Sequence, residues 1–220
     1  MLGNLDGIVK NTIEKVGTRL TGTEVSLEDV ILDLGSGSVT LEGLQIDNPK
    51  GYKSDFAFLL KKITVAVDTS SLSKPVIQLD EVTVEGARLN VEQHGETNNL
   101  TDLLAQVEAN AKPGSNAQEQ EAPPQDEPEA GFILKRFVFA NTSATLISDT
   151  KGNKAIEVPD VKRSNIGDPT QGLTPEQLGD ALLQAVLEEV EAAVADHLAG
   201  LAKKALKDSI RAKMGLSEKN

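Results

Sequence analysis

The 220-residue sequence predicts an α+β protein: a curved antiparallel β-sheet built of repeated hairpins, with an amphipathic helix at each end. Three observations predict it. Val, Leu and Ile alternate with period two over 25–46, 61–92 and 132–160. Apolar residues return at helical spacing in residues 2–20 and again after Thr174. Aromatics make up only 3% and Trp is absent, so aliphatic side chains must fill the core, as they do in sheets.

The first helix places Leu5, Ile8, Val9, Ile13, Val16 and Leu20 on one face, and the "TGT" at 21–23 ends it. From Glu24 the period changes. Val25, Leu27, Val30, Leu32 and Leu34 run to a turn at Gly35-Ser36-Gly37, and Val39, Leu41, Leu44 and Ile46 return, a hairpin signal. Gly43 predicts a bend or bulge in the returning strand. Asn48-Pro49-Lys50-Gly51 closes the hairpin, because Pro has no N–H to give a ladder and Gly permits positive φ.

A third strand is expected over 61–69, then two strand pieces, 76–86 and 87–93, separated at Gly86. A short helix is expected over 98–111, capped by Asn98 or Asn99, with Leu100, Leu103, Leu104 and Val107 on one face. Residues 112–130 combine four prolines, five acidic side chains and almost no apolar surface, which predicts a disordered acidic linker. Strands resume over 132–148 and 155–167.

The last element is a long helix. Thr174 caps it, Pro175 takes its first turn and Gln177 completes a capping-box pattern. Its stripe runs through Leu178, Leu182, Leu183, Val186, Val190, Val194, Leu198 and Leu201. The first half is acidic and the second basic, with Lys203, Lys204, Lys207, Arg211 and Lys213, an order that suits the helix dipole. Segments 25–46, 77–92 and 132–148 share one cadence of strand, small-residue break and strand, which suggests a sheet extended by copies of a unit. The domain reading is therefore a helix-and-sheet segment over 1–111, the linker over 112–130, and a hairpin plus helix over 131–220 completing the same domain.

Composition excludes several functions. A net charge of −12 argues against a nucleic-acid partner, which needs clustered Lys and Arg. The absence of Cys removes disulfides, thiolate catalysis and Cys-type zinc sites. No run of about 18 apolar residues would span a bilayer, and the first residues do not read as a signal peptide. His94 and His197 stand far apart and form no ligand pattern, so each reads as an ordinary residue of its element. The acidic helix face reads as solvated rather than as an acid/base pair. "GSGSV" leads into a strand, so it is neither a phosphate loop nor a nucleophile elbow. No enzyme, cofactor or metal site is expected.

One face of such a sheet can pack on helices or hold an apolar ligand such as an acyl chain. The candidates on that face are Val65, Val67, Leu79, Val82, Val84, Leu89, Val138 and Leu146. Leu183, Val186, Val190, Val194 and Leu201 are candidates for a helical lid over it.

The helix "IEKVGTRLTG", the corner "SGSVTLEGLQIDNPKGY", "ITVAVDTSSL", "PVIQLDEVTVEGARLNVE" and "NNLTDLL" occur in order across residues 7–105. In this, the chain resembles the N-terminal segment of AsmA-like proteins of bacterial envelopes. The resemblance implies a periplasmic module anchored by a membrane helix upstream of this sequence (cytoplasmic if no such anchor exists), non-enzymatic, engaged in lipid transport and outer-membrane homeostasis. It implies no catalytic residues. The alternative expectation is a structural protein that self-associates or scaffolds partners through sheet edges or its C-terminal helix.

Overall fold

The computed structural model describes residues 5–213 apart from 34, 96, 112–129 and 149–151. The expected linker therefore lies outside the described residues, except for Ala130. Helix α1 spans Leu5–Thr21 and ends where Gly22 takes φ +69° and its N–H bonds the Thr18 carbonyl. Strands β1 (Val25–Ser26) and β2 (Asp29–Asp33) share one lane of the sheet, and β3 (Ser38–Ile46) returns beside both. Strand β4 is Phe58–Val67, starting three residues before the expected 61–69 and ending two residues short of it. Strand β5 runs unbroken from Val76 to His94, where two pieces were expected.

The two-residue β6 (Thr97–Asn98) turns into α2 (Asn99–Asn110), whose cap is Asn98: its side chain accepts from the N–H groups of Leu100 and Thr101. Strands β7 (Gly131–Ala140) and β8 (Ser143–Ile147) share a lane, as do β9 (Lys154–Glu157) and β10 (Val161–Ile166). Helix α3 spans Pro175–Lys213. Its capping box closes in both directions: Gln177 N–H donates to Thr174 Oγ1, and Thr174 N–H donates to Gln177 Oε1.

All lanes join one open sheet in the order β1/β2, β3, β4, β5, β7/β8, β9/β10. Residues on both sides of the 112–129 segment thus share one sheet. The sheet is mixed: β7 and β8 run parallel to β5, while the other neighbours are antiparallel. Parallel neighbours need a long crossover rather than a hairpin, and α2 with the segment after it supplies one.

The small-residue breaks become intelligible in this register. Carried across the lanes, it aligns Glu28, Gly43, Lys61, Gly86, Asn141 and Pro159 in one transverse row. Gly43, Gly86 and Asn141 have φ of +64°, +70° and +56°. At this row the parity of buried side chains flips in lane after lane. Val82 and Val84 are buried before Gly86; Ala87, Leu89 and Val91 are buried after it. Phe137 and Phe139 give way to Ala144 and Leu146 across Asn141, and Ile156 and Val158 give way to Val161 across Pro159. A one-residue step normally moves every following side chain to the wrong face. Here all lanes take the step at one level, so register and apolar face are both kept. "VTLEG" (39–43) and "VTVEG" (82–86) are the sequence trace of that shared step.

Candidate functional site

The apolar face of the sheet is the face that the helices cover. Leu41, Ile63, Val84 and Phe139 from the sheet, Leu100 and Leu103 from α2, and Leu187 and Val190 from α3 belong to one buried cluster. The opposite face carries Thr40, Thr64 and Thr83 in one row and Glu42, Lys62 and Glu85 in the next. Arg136–Glu81 and Lys135–Asp80 ion pairs cross between β7 and β5. That face is mostly polar, with Val138 as a buried aliphatic on it.

Of the predicted apolar-face residues, Leu79, Val82, Val84, Leu89 and Leu146 are buried in the cluster, with Val65 and Val67 half-buried against it. Val138 is on the other face: it is in register with Thr83, between Phe137 and Phe139, and lies outside the main cluster. Its neighbours Phe137 and Phe139 carry the apolar face in that strand. Of the lid candidates, Val186 and Val190 are buried and Leu183 and Val194 pack on the cluster, but Leu201 is 38% exposed. From Ala199 on, every described side chain of the helix is exposed.

Beside α3 the packing leaves an open cleft of about 240 Å³. Val91 and Leu146, at the far ends of β5 and β8, face Val194, Ala195 and Leu198 of α3. Gln93, Thr97, Asn98 and Glu191 supply its polar lining. The strand ends meet the helix here because the parallel pairing sets Val91 beside Leu146. A tie bounds the site, in which Thr101 Oγ1 donates to Glu191 Oε1 at 2.9 Å. At about 240 Å³ the cleft is smaller than the roughly 300–1,000 Å³ usual for small-molecule sites. It has room for the end of an apolar chain. Sequence reasoning did not find its polar lining; the "NN" before the helical stripe at 100–107 was the available signal.

Next to the cleft the Asn48–Gly51 corner is latched onto the sheet. Asn99, fully buried, donates to Asn48 Oδ1 and to the Asn90 carbonyl and accepts from Glu92 N–H. The Glu92 carboxylate accepts from the N–H groups of Lys53 and Ser54. Burial pushes the pKa of that carboxyl up, but those N–H bonds outweigh it and hold the group below its ordinary value. Tyr52 donates to Asp102 Oδ2 at 2.5 Å, and Thr97 donates to the other oxygen. Burial first, then the Asp102 bond and charge, push the Tyr52 phenol up to about 12. These bonds fasten the corner and the start of α2 to the end of β5.

His94 sits at the exposed end of β5 with its ring 5.9 Å from that of Tyr52, and His197 lies on α3. Among the described residues, no group of three or more His, Cys, Asp or Glu is placed to hold a metal ion, and no helix is long and apolar enough to cross a membrane. Comparison with protein-family models, curated proteins and solved structures finds no match to this chain.

Proposed function

We propose that the protein is a non-enzymatic module of the bacterial envelope, on the periplasmic side of a membrane, that binds lipid and helps to move it in support of outer-membrane homeostasis. The observation that carries this reading is the cleft between Val91, Leu146, Val194 and Leu198, whose apolar wall continues into the core beneath α3. An acyl chain enters there by its end, and a longer stretch is accommodated as α3 lifts. The envelope setting rests on the motif resemblance of residues 7–105 to AsmA-like proteins alone. The test is twofold. Lipid extracted from the purified protein is identified by mass spectrometry, and a fluorescent fatty acid is titrated into delipidated protein. Saturable binding weakened at least about tenfold by Leu198→Glu, a half-buried position at the cleft, is expected. No copurified lipid and no saturable binding would sink the reading.

A second reading, assembly through the sheet, is favoured by the charges at its edges. Among the described residues no strand pairs with the outer side of β2 or β10. Strand β2 carries Asp29 and Asp33, whereas β10 carries Lys162 and Arg163, the latter ion-paired with Glu188 of α3. Opposite edges of opposite sign suit head-to-tail addition of copies. Sedimentation velocity distinguishes the readings: assembly gives a mass that grows with concentration and shrinks with added salt.

A further inference from the structure

We infer that the C-terminal third of α3, from Ala199 to Arg211, is a binding surface for an anionic lipid bilayer. The inference rests on this helix alone and not on the lipid cleft.

Leu198 is the last residue of α3 that packs on the core, and every described side chain after it is exposed. Leu201, Leu206 and Ile210 are 38%, 64% and 48% exposed. At 100° per residue, Ala199, Leu201, Ala202, Leu206 and Ile210 occupy one half of the helix circumference. Lys203, Lys204, Lys207 and Arg211 occupy the other half, with Asp208 as the one acid among residues 199–211. A helix of low overall hydrophobicity with cations on one face and aliphatics on the other lies flat in a headgroup layer.

The charge arrangement selects the occupant. Residues 175–202 contain six carboxylates and no Lys or Arg, so the cations are gathered where the helix has left the acidic body. Gly200 stands at that junction, with open space where a Cβ would be. A second copy is a poorer match. Three aliphatic side chains fall far short of the about 800 Å² per partner that a stable dimer buries. Pairing two such segments through their aliphatic faces would also leave all four cations of each copy without an anionic partner. An anionic surface meets both faces at once: aliphatics enter the acyl boundary while the lysines remain among phosphates.

The experiment is sedimentation of the full chain with vesicles. The probes are pure phosphatidylcholine and phosphatidylcholine with about one-third phosphatidylglycerol. Binding to the anionic vesicles alone, abolished by about 1 M salt, is expected. Each cation removed weakens partitioning about fivefold, so K203Q/K204Q/K207Q loses about a hundredfold. L206Q/I210Q also weakens it, and as exposed substitutions both leave the melting temperature unchanged. Fatty-acid binding in the cleft is expected to stay the same in both variants, which separates this surface from the cleft. The inference is overturned by no vesicle binding, by equal binding to both vesicle types, or by a triple variant that binds like the parent. A concentration-dependent mass that the triple variant abolishes, without vesicle binding, would assign the surface to a second copy instead.

Discussion

Helix α3 is two helices in one. From Leu178 to Leu198 its apolar stripe packs against the core cluster; from Ala199 to Arg211 an apolar stripe of similar spacing is exposed at every described side chain. The two halves differ in what lies beneath them rather than in period. Helix α3 crosses β7, β9 and β10, and its last core contact is Leu198. Periodicity therefore reports that a helix has a face, and the length of the neighbouring layer decides whether that face is core. The charges follow the same division. Carboxylates line the half that must stay soluble above a filled core, and lysines and arginine line the half that is open.

The largest expected effect tests this division directly. Val190 is 1% exposed and Leu206 is 64% exposed. Val190→Asp removes a buried aliphatic and leaves an unpaired charge, a loss of roughly 4 kcal/mol or more. Leu206→Asp is expected to change stability by less than about 0.5 kcal/mol. Urea midpoints of both variants check the contrast. Similar losses would mean that the second half is also docked.

How far the sequence reached follows from the same point. Period-two and period-3.6 patterns located the helices, the hairpin and the long strands, since burial is what writes those patterns. Pattern could not say that β5 and β7 run parallel, because Val82 beside Phe137 reads alike in either direction. Nor could it join the two pieces of β5: Gly86 looks like a terminator until its neighbours prove to step at the same level. Val138 was misplaced for a related reason. In "FVFA" every residue is apolar, so alternation gives no phase. The cleft was illegible because its walls come from β5, β8 and α3, far apart in the chain. Leu201 failed for want of the sheet's length.

A medium effect is expected beneath the docked half. Helix α2 supports it, and the start of α2 is fastened by the bond from Tyr52 to Asp102. The Tyr52 phenol is raised to about 12, against an ordinary value near 10. A raised folded value means that its contribution is fully present below about pH 10 and is lost as pH climbs through about 12. Tyr52→Phe should cost about 1 kcal/mol at neutral pH and flatten the decline of stability between those limits. Urea midpoints measured across that range give the answer, and parallel curves for parent and variant would show that the bond carries no linkage.

The smallest effect is expected from two glycines, one in each half. A Cβ at Gly179 would lie 2.9 Å from Leu20 Cδ2, a buried methyl that must move; at Gly200 it would meet nothing within 4 Å. Replacing Gly by Ala inside a helix gains about 1 kcal/mol of local helix stability. At Gly179 the displaced Leu20 offsets that gain, and because this half belongs to the core the net result appears in global unfolding as no gain or a small loss. At Gly200 the gain is not offset, but it stays in a segment whose described side chains are all exposed. Gly200→Ala should leave the melting temperature within about a degree of the parent. It should raise the helical circular-dichroism signal and slow amide exchange over 199–211. A Gly200→Ala variant that melts several degrees higher would mean that the two halves unfold as one cooperative unit, and the division of α3 would fail as a statement about energetics even though it stands as one about contacts.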